Sequence, residues 1–433
     1  MRAAIPAGPA LENKGLRSMK TTMTALALIL VSAPAAYAAG SLTNESFIEQ
    51  IGSGNDATIT QKNGNNGQAT FQAGKKNSVI TDQVSKLAGG KNTSGNVQVG
   101  KGNTASTGQT NTPPNSQFTT ATFTNNSFSG QYGTKNDVIV DQSGGKNSQG
   151  ALQVGKKNVA GVAQSDTSVT AASATPVGGA NTSFTGQFGN KNTAAAIQTS
   201  ADGTGSGGQF ETGHSNASAA VQIGDKNEAG TQQTSVGGRA QGPRNVAATV
   251  QVGHGNLETT TQGGSVAGAF GATTEDQVAN YTNASFLSQV GTKNVAQIDQ
   301  ENGANTQATF QVGAKNNATI DQQTQTFGTG NGANNAVTTQ IGTKNMVNVG
   351  QSMAVPLALG NNNSLITQIG GSNVVNAAQS VGQQAVAGNN TQVALQVGTG
   401  NSLSLVQATG ANVTNTSFTA QYGSHNSASV SQR

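Results

Sequence analysis

The sequence predicts an all-β fold, a two-sheet β-solenoid of strand–turn–strand rungs with variable loops along one edge. Three observations support this prediction. A seven-residue phrase, Asn-x5-Gln, occurs twenty-eight times in fourteen pairs, and a four-residue connector of form x-Gly-x-x joins the members of every pair. Side chains within the phrase alternate in character, as along a half-buried strand. Spacing that stays strict over such a length indicates stacked structural repeats.

The composition is unusual for a globular protein but fits a stacked repeat. Of 433 residues, 9% are charged, 33% are hydrophobic and 58 are Gly. Low hydrophobicity would favour disorder, but disordered chains also tend to carry a high net charge, whereas the formal charge here is +4. The absence of Cys from the sequence excludes disulfides, thiolate metal sites and a cysteine nucleophile. We therefore expect stability to come from backbone pairing and side-chain ladders.

The N-terminal segment, residues 1–38, is predicted to be a signal peptide that directs export through the periplasm. A basic region precedes an apolar stretch at 23–31, and Ala-Tyr-Ala at 36–38 fits a small-x-small cleavage site. Met19 would begin a more typical leader and is a possible true start. A buried first helix is the alternative interpretation. The apolar stretch is too short to cross a bilayer, and no later segment is long and apolar enough, so we expect no membrane span.

A short mature N-terminus, residues 39–43, leads into fourteen repeats over residues 44–433. Odd positions of a strand share a face, so Asn, two mostly small or aliphatic residues and Gln point the same way. Stacking at about 4.8 Å would place like amides over one another, where each can donate to one neighbour and accept from the other. Representative residues of this predicted ladder are Asn44, Gln50, Asn55, Gln61, Asn66, Gln72, Asn77, Gln83, Asn125, Gln131, Asn136, Gln142, Asn283, Gln289, Asn294, Gln300, Asn415, Gln421, Asn426 and Gln432. Connector glycines are predicted to form tight turns at Gly52, Gly74, Gly133, Gly291 and Gly423.

Only the connectors between successive pairs change in length. The longest has 20 residues, from Gly263 to Thr282, whereas the connector within a pair always has four. Every Pro beyond the leader lies in a long connector, as expected because Pro cannot donate to a β-ladder. The insertions are therefore predicted to emerge along one edge of the stack.

The first strand of many pairs has an apolar second face, while the corresponding face of the second strand is mostly polar. Phe184, Phe188, Phe286 and Val290 are examples. A long exposed apolar stripe usually marks an interface. We expect this face either to pair laterally with a second stack or to be covered by the long connectors. The alternative is that this face forms the core and the Asn/Gln face lies outside.

Neither end of the repeat array shows a capping pattern. The first phrase begins at Asn44, and Gln432 is followed by Arg433. Solenoids that remain monomeric normally cap their ends, and an uncapped rung is an open sheet edge. This pattern predicts self-association end to end into fibres with cross-β spacing.

The repeats resemble those of the curlin family, the units of bacterial curli fibres. The resemblance rests on a pattern of Ser, Gln-x-Gly-x-x-Asn-x-Ala and Gln. This pattern is found at Ser46, Gln50, Gly52, Asn55, Ala57 and Gln61, again at Ser285, Gln289, Gly291, Asn294, Ala296 and Gln300, and at Ser417, Gln421, Gly423, Asn426, Ala428 and Gln432. The resemblance covers essentially all of residues 44–432. It implies an amyloid-like extracellular, cell-surface fibre that serves adhesion and biofilm matrix. It also implies a nucleator, a chaperone and an outer-membrane secretion pore as partners.

Residue types that carry catalysis or metal binding do not form a site in the sequence. His214, His254 and His425 are far apart and lie in or beside turns, so we interpret them as solvated turn residues, with no metal and no cofactor. Ser and Asp lack a plausible His partner for a catalytic triad, so we expect no enzyme.

A lysine recurs at the end of many connectors, immediately before the second Asn. The set comprises Lys76, Lys135, Lys157, Lys191, Lys226, Lys293, Lys315 and Lys344. One interpretation is a basic stripe for polyanions such as extracellular DNA. The other is a set of charges that keeps turns solvated and stacks apart. Without the leader the charges nearly cancel, which favours the second interpretation and no specific nucleic-acid binding.

Two functional alternatives to a fibre subunit fit a solenoid. One is a monomeric β-solenoid adhesin that grips a surface or glycan with its long loops. The other is an ice-binding solenoid, which the sequence disfavours because the outer faces lack a regular Thr-x-Thr array.

Overall fold

The computed structural model describes the chain in eleven segments: residues 43–86, 90–111, 123–166, 179–202, 215–237, 244–265, 282–325, 332–354, 360–382, 388–409 and 413–433. The predicted signal peptide, residues 39–42, His214 and most residues of the long connectors lie outside these segments. Within them the regular structure consists of twenty-eight strands in two fourteen-stranded parallel sheets, which confirms the predicted all-β solenoid. No helix long and apolar enough to cross a membrane occurs in the described part of the chain.

Odd-numbered strands form the first sheet and even-numbered strands the second. The first sheet contains β1 (Asn44–Ser53), β3 (Asn65–Lys75), β5 (Lys91–Lys101), β7 (Thr124–Thr134), β9 (Lys146–Lys156), β11 (Ala180–Asn190), β13 (Ser215–Asp225), β15 (Arg244–His254), β17 (Thr282–Thr292), β19 (Ala304–Ala314), β21 (Ala333–Thr343), β23 (Asn361–Gly371), β25 (Asn389–Thr399) and β27 (Thr414–Ser424). The second contains β2 (Asp56–Lys62), β4 (Ser78–Ser85), β6 (Thr104–Asn111), β8 (Asp137–Ser143), β10 (Val159–Asp166), β12 (Thr193–Asp202), β14 (Glu228–Gly237), β16 (Leu257–Ser265), β18 (Val295–Glu301), β20 (Asn317–Gln325), β22 (Met346–Ala354), β24 (Val374–Val381), β26 (Ser402–Thr409) and β28 (Ser427–Gln432). Each odd strand and the even strand after it form one rung, and the rungs are numbered 1–14.

Neighbouring rungs pair in parallel with like positions aligned. Gln50 pairs with Gln72, and the same register holds across the longest insertion, where Gln251 pairs with Gln289. A slip of one residue would turn every Gln of a strand from the interior to the solvent, so the buried face fixes the register whatever the connector length.

The strands differ from the predicted seven-residue length. First strands have ten or eleven residues and run through the connector glycine, so the tight turn expected at that glycine is a bend within the strand. The chain reverses direction two residues after the connector glycine. Lys76, for example, has a left-handed φ of 55° and is followed by Asn77 and the start of β4.

The Asn/Gln face lies inside, between the two sheets, so the alternative that places it outside is wrong. Most of these amides are fully buried, whereas Phe184 on the opposite face of the first sheet is 45% exposed. In rungs 9–14 the remaining interior positions form an apolar cluster that includes Leu287, Ile320, Ile366 and Leu405. In earlier rungs many of these positions hold small polar residues.

The outer faces of the two sheets differ less in their apolar content than the sequence suggests. The first sheet exposes apolar side chains along its length, as expected. The second sheet also exposes Ile80, Ile139 and Ile197, each about half accessible, between its Thr, Ser and Asp residues.

Candidate functional site

Two unbroken columns of glutamine run the length of the interior. In the first sheet Gln50 Nε2 donates to Gln72 Oε1 at 2.6 Å, and twelve further bonds of 2.7–3.0 Å continue the column to Gln421. In the second sheet a column of the same kind runs from Gln61 to Gln432, with distances of 2.6–3.0 Å. Every bond in both columns donates towards the C-terminal rung, so the stack has a direction.

Every glutamine amide of the two columns except Gln50 also joins the two sheets. Gln72 Nε2 donates a second bond to the Asp56 carbonyl oxygen of the facing sheet at 2.9 Å, and Gln83 Nε2 donates to Gly67 O at 3.0 Å. Both N–H groups and the oxygen of these fully buried side chains are therefore satisfied, which is the condition for burying an amide without a large penalty.

The first-strand asparagines form a third column with the opposite direction. Asn66 Nδ2 donates to Asn44 Oδ1 at 2.7 Å, and the remaining bonds, up to Asn415 donating to Asn390, measure 2.9–3.2 Å. Donors in this column point towards the N-terminal rung.

The second-strand asparagines stack, but amide-to-amide bonds do not carry the column, which differs from the predicted ladder. Their Oδ1 accepts from the backbone N–H of the next rung's Asn at 3.0–3.1 Å, as Asn55 does from Asn77. Their Nδ2 donates to the next rung's connector glycine carbonyl, as Asn294 does to Gly313 at 3.1 Å. One side chain thus satisfies two backbone groups left free at the chain reversal.

The connector glycines explain why Gly and Asn keep a fixed spacing. Gly291 has a φ of 126°, and a Cβ at this position would lie 1.9 Å from the Gly313 carbonyl oxygen. That oxygen is the acceptor of Asn294. A side chain at position 291 would clash with the Gly313 carbonyl, so the bond from Asn294 to that carbonyl requires glycine at position 291.

The two ends of the stack are complementary. At the C-terminal rung, Gln421 Nε2 donates to Ser402 O and Gln432 Nε2 to Thr416 O, which leaves each amide one N–H directed away from the chain. At the N-terminal rung, no donor among the described residues reaches Gln50 Oε1 or Gln61 Oε1. The first-strand asparagine column has the opposite polarity: it presents the Asn415 oxygen as an acceptor at the C-terminal rung and the Asn44 amide as a donor at the N-terminal rung.

All eight lysines of the predicted basic set lie in the left-handed region. Lys76, Lys135, Lys157, Lys191, Lys226, Lys293, Lys315 and Lys344 have φ values of 55–58°. Other rungs hold Gly at this position, Ser372 or His425. A left-handed conformation costs a non-Gly residue roughly 1–2 kcal/mol, so these lysines occupy positions where glycine would be less strained.

Sequence reasoning missed one interior residue, Glu258 in β16. It is fully buried and aligns between Ala229 and Ala296 of the neighbouring rungs. Burial raises its pKa from 4.5 to about 7, while bonds from Thr260, Thr249 and the Gly230 backbone act in the other direction. The signal was present in the sequence, because Glu258 is the only charged residue at an inward position in all twenty-eight phrases.

The ionisable residues of the described segments do not assemble into a metal site: no three His, Asp or Glu side chains there group closely enough to hold an ion. His254 and His425 are exposed at the reversal between sheets. Asp299 and Asp321 stack on the outer face of the second sheet, and their pKa values are raised by partial burial and by the nearby Glu301 carboxylate.

Comparison with known proteins assigns one rung to a family. A family model described as curlin associated repeat matches residues 43–62, which span β1 and β2. No curated protein matches the chain. The other thirteen rungs repeat the Gln, Gly and Asn positions of the matched segment and pair with one another in the same register.

Proposed function

We propose that this chain, whose first rung matches the curlin associated repeat, is a secreted structural subunit of a curli-like extracellular amyloid fibre. Its role in this proposal is cell adhesion and biofilm matrix formation, not catalysis. Export would use the N-terminal signal peptide. A nucleator, a chaperone and an outer-membrane pore are the partners that curli-type assembly implies.

The observation that carries this proposal is the complementarity of the two ends. A second chain stacked on rung 14 would bring its Gln50 and Gln61 oxygens to the free N–H groups of Gln421 and Gln432. Its Asn44 amide would meet the Asn415 oxygen. Among the described residues, the strands at each end are hydrogen-bonded to a neighbouring strand on one side only, and such strands template further strands. A head-to-tail contact of this kind does not close on itself and generates a filament.

A substitution at Gly423 tests this end-to-end contact. Inside the chain, a Cβ on the equivalent glycine of rungs 1–13 would lie 1.8–2.0 Å from the next rung's carbonyl oxygen, but at Gly423 its nearest neighbour is Asn426 Nδ2 at 3.6 Å. Gly423→Ala would therefore leave the folded monomer without a clash and place a methyl group where the next chain must stack. We expect the mature variant to show wild-type circular dichroism and greatly slowed fibre growth, followed by thioflavin T fluorescence and electron microscopy.

A control variant places alanine at a positive φ inside the stack. Gly255 has a φ of +64°, in the left-handed region that non-glycine residues can adopt, and its Cβ would approach only Lys293 Cγ, at 3.6 Å. We expect the Gly255→Ala variant to form fibres like the wild type. Because Gly423 has a φ of +104°, the wild-type circular dichroism of the Gly423→Ala monomer must also show that the strain at that position is tolerated. Wild-type growth of the Gly423→Ala variant would refute the end-to-end contact.

The insertions support a second candidate function, a monomeric adhesin. All of the long connectors join the second strand of one rung to the first strand of the next, so the strand ends that they link share one edge, where the connectors could form a binding surface. Mature protein that remains monomeric, does not seed fibres and still binds cell surfaces would favour this function over the fibre subunit.

A further inference from the structure

The outer face of the first sheet carries a continuous strip that is almost uncharged. The strip is defined by the outward-facing fourth, sixth and eighth positions counted from the Asn of each first strand, such as Phe286, Ser288 and Val290. The eighth position is apolar in all fourteen rungs, from Ile51 to Tyr422, and Glu49 in rung 1 is the only charged residue on the strip. Val290, Ile341 and Ile369 of the eighth column are about 40% exposed.

The other surfaces of the described stack do not share this property. The outer face of the second sheet carries carboxylates at Asp82, Asp141, Asp299 and Asp321. The reversal edge carries the left-handed lysines. Charges of these kinds discourage lateral contacts between sheets, so only the first-sheet face lacks such protection.

The strip is smooth because rings fill the gaps left by glycines. A Cβ at Gly150 would lie 3.3 Å from the Phe184 ring, and a Cβ at Gly95 would lie 3.4 Å from the Phe128 ring. Each ring thus leans over the glycine of the preceding rung rather than standing away from the sheet. Phe286 and Phe310 form a tilted pair with centroids 5.5 Å apart. Flat, dry surfaces of this kind pack against each other in cross-β assemblies.

We propose that this strip is the lateral interface with a second copy of the same chain, so that the fibre consists of two stacks packed face to face. This inference rests on the proposed fibre function. The length of fourteen rungs, about 65 Å, and a width of about 13 Å give a contact of roughly 850 Å² per copy. A stable protein interface buries about 800 Å² per partner.

A second copy fits the strip better than an unrelated partner. It presents the same rung repeat of about 4.8 Å, so the side-chain ridges of two copies stay in step over the whole length. Apart from Glu49 in rung 1, it also presents no charge that the strip would leave unpaired. A two-fold axis parallel to the fibre would make the contact self-complementary and keep both stacks growing in the same direction.

Mass per length of fibres grown from the mature chain tests the inference. About 40 kDa spread over about 65 Å gives roughly 6 kDa per nm for one stack and roughly 12 kDa per nm for two. We expect the higher value by scanning transmission electron microscopy. The triple variant Val290→Lys, Ile341→Lys, Ile369→Lys should halve it while fibres still grow. The matched triple variant Ile80→Lys, Ile139→Lys, Ile197→Lys, on the other sheet, should leave it unchanged.

The outcomes separate this inference from the proposed function. Wild-type fibres at roughly 6 kDa per nm, as expected if connectors cover the strip, would overturn lateral pairing but keep end-to-end growth. A first-sheet triple variant that retains the doubled value would also overturn it. If the chain forms no fibres, the proposed function fails. In that case the oligomeric state of the soluble protein, measured by analytical ultracentrifugation, tests whether two copies pair through the strip. A wild-type dimer and a monomeric first-sheet triple variant would support it, whereas a wild-type monomer would overturn it.

Discussion

Glu258 makes the stability of the middle of the stack depend on pH. In the folded chain its pKa is raised from 4.5 to about 7, chiefly because burial disfavours the charged form. The folded state therefore retains a proton between pH 4.5 and 7 that the unfolded state releases. Stability at rung 8 is greatest below pH 4.5, falls as the pH rises through this window and levels off above pH 7.

The size of the effect follows from the two pKa values. A difference of one pKa unit corresponds to about 1.4 kcal/mol, so the shift from 4.5 to about 7 corresponds to about 3 kcal/mol. Partial compensation exists, because Thr260 donates to the Glu258 carboxylate and Thr249 also bonds to it. The other carboxylate oxygen, Oε2, has no hydrogen-bond partner among the described residues, which is consistent with burial outweighing these bonds.

The test substitution is Glu258→Gln, which keeps the shape of the side chain and removes the ionisable carboxyl group. We expect the variant to match the wild type near pH 4 and to be more stable by about 3 kcal/mol above pH 7. Hydrogen exchange of β16 and its neighbours, measured on freshly prepared mature monomer and corrected for intrinsic rates, reports this locally. The expected gain in protection at pH 7.5 is on the order of 100-fold.

Rung 12 provides an internal control, since Val375 takes the place of Glu258 in β24 and should show no such dependence. The reasoning is refuted if wild-type protection in β16 is the same at pH 4.5 and pH 7.5. It is refuted equally if Glu258→Gln retains the wild-type pH profile.

Three further predictions concern the glutamine column of the first sheet and the connectors between the two strands of a rung. Gln289→Leu removes the bonds to Gln251 and Gln311 and should destabilise the stack by about 1–3 kcal/mol for each buried group left unpaired, measured by urea unfolding of the monomer. Gly291→Ala, whose Cβ would lie 1.9 Å from Gly313 O, should prevent correct stacking of β17 on β19, whereas Gly161→Ala, with no atom within 4 Å of its Cβ, should change the urea midpoint little. Lys344→Gly should stabilise the monomer by up to about 1 kcal/mol because it relieves a left-handed φ of 58°, and an unchanged or lower urea midpoint would contradict that account.

The sequence by itself determined the fold class and the register. A period-two pattern with Asn and Gln at fixed odd positions leaves one arrangement in which these amides are buried and paired, and the structure adopts it in rungs 2–13. The glutamine columns lie where the spacing of residues such as Gln50 and Gln72 predicted, because stacking alone aligns them.

The tertiary structure alone decided how the second asparagine and the connector glycine interact. Asn294 donates to the Gly313 carbonyl of the next rung, and that carbonyl lies within reach only when two rungs are stacked. The opposed directions of the Asn and Gln columns, and hence the complementarity of the ends, also require the paired sheets. Glu258 shows the same division between what the sequence and the tertiary structure determine. Its charge is visible in the sequence, but its raised pKa arises because the stack excludes water from it on every side.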